Sequence, residues 1–188
     1  FSAEIGSATD DLTNGTISFV NETARDTGIT EGCSVRAALE SLISAPEPKS
    51  QLEKVPEARW EQRMGSTNVI CVDSASLVIP EDAGHIIVTG SHGGLIGGDP
   101  SRACKADAAF YSFNDAGGGK NNAGVARLAA LNDRGIAAIV LDCFSCEIGD
   151  AASAVKTGIV STANHAAQKA GITTGDTLLR AIEKMSDR

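Results

Sequence analysis

No cluster of Lys and Arg occurs in this 188-residue sequence, and 16 basic against 24 acidic residues leave a formal charge of −8. A nucleic-acid backbone or an anionic membrane surface selects basic stripes, so neither is expected as a partner; a small molecule or another protein is. No apolar run nears the roughly 20 residues needed to cross a bilayer, and no secretory leader is visible. Five cysteines (33, 71, 104, 143, 146) make an odd number without framework spacing, which predicts mostly free thiols in a reducing, cytoplasmic setting. The GxxxxGK[ST] pattern is missing too, Lys120 being followed by Asn121, and this argues against a nucleoside triphosphate site.

What is present is a repeat. Phe1-Ser2-Ala3-Glu4-Ile5-Gly6 answers Phe144-Ser145-Cys146-Glu147-Ile148-Gly149, and Gly28-Ile29-Thr30-Glu31-Gly32 answers Gly171-Ile172-Thr173-Thr174-Gly175. The offset is 143 without a gap, and 16 of the 42 pairs from 1/144 to 42/185 are identical. Chance supplies only a few, so the sequence predicts a duplication. Residues 1–45 then form a partial repeat, a helix-loop-helix matching the C-terminal segment; 46–66 form a Pro-rich connector; and 67–188 form an α/β domain. Two origins suit the short first copy. A tandem precursor cut before Phe1 would leave a companion chain, whereas a shortened repeat would simply pack against the full one. Phe1 has no nucleophilic side chain, so a terminal-nucleophile mechanism is not expected.

Local pattern fills in the elements. Residues 1–15 read as a loop, Thr16–Thr27 as a helix stopped by Gly28, and Val35–Ser44 as a helix capped by Ser34. The second copy repeats this, with a helix from Ile159, a stop at Gly171, and Asp176 capping Thr177–Met185. Gln51–Met64 is charged and reads as helical. Short apolar runs at Asn68–Val72, Ser76–Ile79, His85–Thr89, Ala108–Phe113 and Ile136–Leu141 predict buried strands, and Asn122–Arg134 a helix between the last two. Strand, helix, strand implies parallel pairing with a right-handed crossover. The fold class is therefore layered α/β with a mostly parallel sheet.

Three of those strands run into loops of small and polar residues: 90–98, 114–122 and 142–150. Parallel strands share one carboxyl edge, where ligands bind, so the loops should converge. Gly93, Gly94, Gly117 and Gly118 could present bare N–H groups to an anion, with Lys120 adding charge at a helix mouth and Asn114 and Glu147 contacting substrate. His92 is the one histidine on a strand-end loop and the candidate acid/base, oriented by Asp115 or Asp150. Ser145 or Ser91 would be nucleophile or hydrogen-bonding group. The alternative for each is structural: tight turns for the glycines, a loop tie for His92. Cys143 and Cys146 have CxxC spacing but form one pair without a suitably spaced histidine. Of the two copies' shared motif, Ser145 and Glu147 recur and the thiols do not, so neither metal nor cofactor is expected. The function these residues predict is hydrolysis of a small carboxylate- or amide-bearing substrate, the chain acting in a homo-oligomer or with a companion chain. The alternative is a non-catalytic anion-binding or assembly subunit.

Overall fold

Strands covered on both faces must be apolar nearly throughout, and residues 67–141 supply such runs. The structure, a computed structural model, describes residues 2–47 and 55–186. In chain order it contains α1 (Ala8–Asn14), α2 (Glu22–Asp26), α3 (Val35–Ile43), β1 (Arg59–Met64), β2 (Thr67–Val72), β3 (Ile86–His92), β4 (Phe110–Asn114), α4 (Arg127–Asp133), β5 (Ala137–Leu141), α5 (Ala151–Thr157), β6 (Val160–Ala163), α6 (His165–Lys169) and α7 (Leu178–Ser186). The six strands form one sheet in the order β1-β2-β3-β4-β5-β6. β2 to β5 run parallel, and β1 and β6 close the two edges antiparallel, which makes this a mixed α/β fold with a mostly parallel sheet. Among the described residues no helix is long and apolar enough to cross a membrane.

The two-residue period of each strand sorts the core into two layers. Cys71, Val88, Phe110, Ile139 and Leu141 meet α5 and α7 through Ala151, Ala154, Leu178 and Ile182. Ile70, Ile87, Tyr111, Phe113 and Val140 meet α4 and the preceding connections through Leu128, Leu131, Val78 and Ala103. Sequential parallel strands with crossovers of one hand place those connections on a single side.

Several elements differ from expectation, each for a local reason. Arg59–Met64 is a strand, not part of a helix: Trp60, Gln62 and Met64 turn inward while Arg59, Glu61 and Arg63 face out. The expected connector 46–66 therefore contains an edge strand, and its residues 48–54 lie outside the described residues. Residues 8–14 are helical because the Ser7 hydroxyl accepts from the Asp10 N–H. Ser76–Ile79 is not a strand, since a 3₁₀ turn over Ala75–Leu77 is capped by Ser74. The helices expected from Thr16 and Ile159 start late, at Glu22 and His165, where Asn21 and Asn164 cap them. α4 also starts late because Asn121 and Asn122 occupy left-handed backbone at φ 55° and 57°. Thr177, not Asp176, caps α7 by accepting from the Arg180 N–H, while Asp176 takes the Thr173 N–H and the Lys184 ammonium.

One partly buried ion pair ties β1 to the rest. Asp82, 3 % exposed, accepts from both Arg59 Nη atoms (2.9 and 2.7 Å) and from the Ile79 N–H (2.9 Å). Burial pushes its pKa up, but these donors together outweigh burial and leave it below the ordinary carboxylate value. The folded-state value being depressed, the stabilisation is complete above about pH 4 and drains as pH falls through the folded value. Asp82→Ala should cost about 3 kcal/mol in urea unfolding at pH 7, because it strands a cation that is partly buried. The wild-type and variant curves should converge as the pH falls through the depressed folded value of Asp82.

Candidate functional site

The carboxyl ends of β3, β4 and β5 are bound to one another by hydrogen bonds that backbone N–H groups donate. The Gly93 N–H donates to the Asn114 carbonyl (2.8 Å), the Cys143 N–H to Asp115 Oδ1 (3.1 Å), and the Gly149 N–H to the Gly90 carbonyl (2.6 Å). Gly124 is required for this closeness, since a Cβ there would stand 2.3 Å from the Asp115 carbonyl oxygen. The three loops predicted from sequence thus do meet along one edge of the sheet.

A cavity of about 460 Å³ opens beside β3 at that edge. Its walls are the 74–76 turn, Ser91 and His92, the 101–105 segment, and Arg127. Arg102, Lys105 and Arg127 all contribute to it, a concentration of positive charge in a chain of net charge −8. Lys105 Nζ donates to the Ser76 carbonyl (2.5 Å), and Ser91 Oγ accepts from the Ala75 N–H (2.8 Å).

Arg127 is the unusual group. It is 4 % exposed, and its Nε and Nη1 donate to the Gly94 and Ala103 carbonyls at 2.9 and 2.7 Å. Its guanidinium carbon lies 5.0 Å from the centre of the Phe113 ring. All of these partners are neutral, and no carboxylate pairs with it among the described residues. Burial pulls its pKa below the usual guanidinium value, although not far enough to discharge an arginine. A buried cation held by neutral partners favours an incoming anion.

His92 is set as a donor. Its Nδ1 accepts from the Gly94 N–H at 3.1 Å, which leaves the ring proton on Nε2. Burial first, and the Arg127 charge second, lower its pKa below the ordinary histidine value. The imidazole is therefore neutral at pH 7, with Nε2–H available. That suits polarising a carbonyl or holding a carboxylate better than abstracting a proton.

The remaining predicted residues are employed elsewhere. Asp115 Oδ1 takes the Gly117 and Cys143 N–H groups, and Asp150 caps α5 through the Ser153 N–H, so neither orients His92. Ser145 Oγ donates to the Asp142 carbonyl (2.7 Å) and accepts from the Ile159 N–H (3.0 Å). Asn114 Nδ2 ties to the Cys146 carbonyl, and the Glu147 N–H donates to Ser153 Oγ. The glycine N–H groups are not bare: Gly93 donates to Asn114, Gly94 to His92, and Gly117 and Gly118 to Asp115. Lys120 is outside the cavity, paired with Asp10 at 2.9 and 3.1 Å, and this contact holds the Asp10 carboxyl down at about 2.

Asp115, Asp142 and Cys143 bring possible ligand atoms within 4.8 Å of one another. Burial and then the neighbouring Asp115 raise the Cys143 thiol. Sequence reasoning missed Arg102, Lys105 and Arg127. Arg127 left a signal: it is a charge set beside Leu128 and one turn before Leu131 on the buried side of α4. No protein-family profile, no curated protein and no solved structure matches this chain.

Proposed function

We propose that the chain binds a small carboxylate-bearing molecule in the cavity walled by Ser91, His92, Lys105 and Arg127. The supporting observation is the Arg127 guanidinium, buried among neutral partners with no carboxylate opposite among the described residues. Its enzymatic form is hydrolysis of an amide- or carboxylate-bearing substrate. Ser91 Oγ accepts from the Ala75 N–H and keeps its own proton to donate, so it would hydrogen-bond the substrate, and the His92 Nε2–H would steady the oxyanion that develops as water attacks. A non-catalytic anion-binding subunit uses the same contacts without turnover.

A panel of small amides and carboxylate esters, with calorimetry of the product acids, separates the two forms. In the enzymatic form His92→Ala lowers kcat by roughly 100- to 1,000-fold while carboxylates bind within about 10-fold of wild type. Turnover that survives His92→Ala removes His92 from the chemistry. Carboxylate binding by the wild type, with no turnover of any panel member, selects the binding subunit.

We also read residues 2–43 as a second copy of 145–186. The bounds of α1, α2 and α3 fall 143 residues before those of α5, α6 and α7. The bridge Thr16–Ser34 stands against Ile159–Thr177, and left-handed Gly28 and Gly32 stand against left-handed Gly171 and Gly175. Even the Ser2 Oγ contact to the Thr16 N–H matches that of Ser145 to Ile159. Identical backbone punctuation at a constant offset supports common descent of the two segments.

A further inference from the structure

The two segments are covered very differently. In the C-terminal one, β6 pairs with β5, and Ala167, Ile182 and Leu178 are almost fully buried against the sheet. In the N-terminal one, Ala24, Leu39 and Val35 hold those positions but line an open apolar groove of about 610 Å³, with Phe19 and Leu42 alongside. Phe19 is 90 % exposed and Leu39 46 %. Residues 17–20, which correspond to β6, have no strand to pair with among the described residues.

Asn21 and Asn164 sharpen the contrast. Asn164 caps α6 and also reaches the sheet, accepting from the Ala138 N–H (3.0 Å) and donating to the Ile136 carbonyl (2.8 Å). Asn21 makes the same cap, to the Ala24 N–H at 2.9 Å, and among the described residues its side chain bonds no strand backbone. The interface that 145–186 makes with β5 is thus half reproduced on 16–43, and the missing half is a strand. The match lapses at α1, where exposed Asp11 stands for buried Ala154, so the face is confined to 17–20, α2 and α3.

We infer that this face docks on the edge of another α/β sheet unit built like residues 67–143, whose last parallel strand pairs with 17–20 and fills the free side of Asn21. A second copy of this chain does not meet the need. Its own β5 edge is already taken by β6, and its other edge, β1, presents Arg59, Glu61 and Arg63. A further sign is Ile148, 55 % exposed: its counterpart Ile5 packs against the glycine loops of the sheet unit, its side chain 3.2 Å from where a Gly94 Cβ would stand. A second unit of the same kind would bring such loops for Ile148 as well. The inference rests on reading the two segments as copies.

The test places a photo-crosslinking benzoylphenylalanine at position 19 of the full chain, in cells that naturally produce it, and identifies the crosslinked peptide by mass spectrometry. The expected peptide is an apolar strand running into an Asp- or Asn-led loop, as 136–142 does, from a polypeptide segment other than residues 67–186 of this chain. Leu39→Arg, at a half-exposed position, should reduce that crosslink at least 10-fold while leaving the melting temperature of the isolated chain unchanged. A crosslink to residues 67–186 of a second copy, or none from folded protein, overturns the docking but leaves the copies related. A crosslink to a helical or unrelated surface overturns the reading of the segments as copies together with the docking.

Discussion

Replacing Arg127 with leucine should weaken carboxylate binding at least 100-fold, the equivalent of about 2.7 kcal/mol. Among the described residues the guanidinium is the one cavity cation that is both buried and without a carboxylate, so an anion reaching it gains a charge-assisted contact that water cannot screen. The same substitution strands the Gly94 and Ala103 carbonyls, at about 1–3 kcal/mol for each buried acceptor. Releasing the cation from its desolvated position offsets part of this, so the net loss of stability should be about 2 kcal/mol. Arg127→Lys keeps a charge but not the fork that spans two carbonyls, and should bind roughly 10-fold more weakly than wild type. Calorimetry with small mono- and dicarboxylates, alongside urea unfolding, reads both effects; unchanged affinity in the leucine variant would remove Arg127 from the site.

Asn164→Ala should cost about 4 kcal/mol, whereas Asn21→Ala in the isolated chain should cost about 1. One amide at 164 serves four groups: the Ala138 and Ala167 N–H donors and the Ile136 and Leu128 carbonyls. Truncation leaves buried strand groups unpaired and a cavity behind them, which puts the loss among the exceptional values for single substitutions. At 21 only the helix cap is lost, and water replaces it. Paired urea titrations at pH 7 check the difference, and equal losses would mean that residues 17–21 are covered as 160–164 are.

The parallel strands were legible because β2 to β5 are buried on both faces and read as apolar runs; this fixed the edge at which the loops would meet. β1 was not, since Arg59-Trp60-Glu61-Gln62-Arg63 alternates in a pattern that suits an exposed helix equally well, and only its pairing with β2 decides. α5 falls between the loop ending at 150 and the helix expected from Ile159, where sequence reasoning placed no element, although Asp150 caps it and its alanines favour a helix. Of the residues that line the cavity, Ser91 and His92 stood out in the sequence and Arg102, Lys105 and Arg127 did not. Whether a glycine N–H is free depends on partners remote in sequence, such as Asn114 for Gly93, and the Lys120 charge is consumed by Asp10 from the other segment. Arg127 is where local pattern breaks a rule, a charge on a buried helix face, and such breaks are expected at functional or strained positions.

The most direct measurement follows the Arg127 Nε–H and His92 Nε2–H resonances by NMR while small carboxylates are titrated in at constant ionic strength. Both should shift saturably with a common midpoint, with Lys120 unmoved. Saturation at the 117–120 loop with Arg127 and His92 unmoved, or no saturation at all, would contradict the assignment of the cavity as the ligand site.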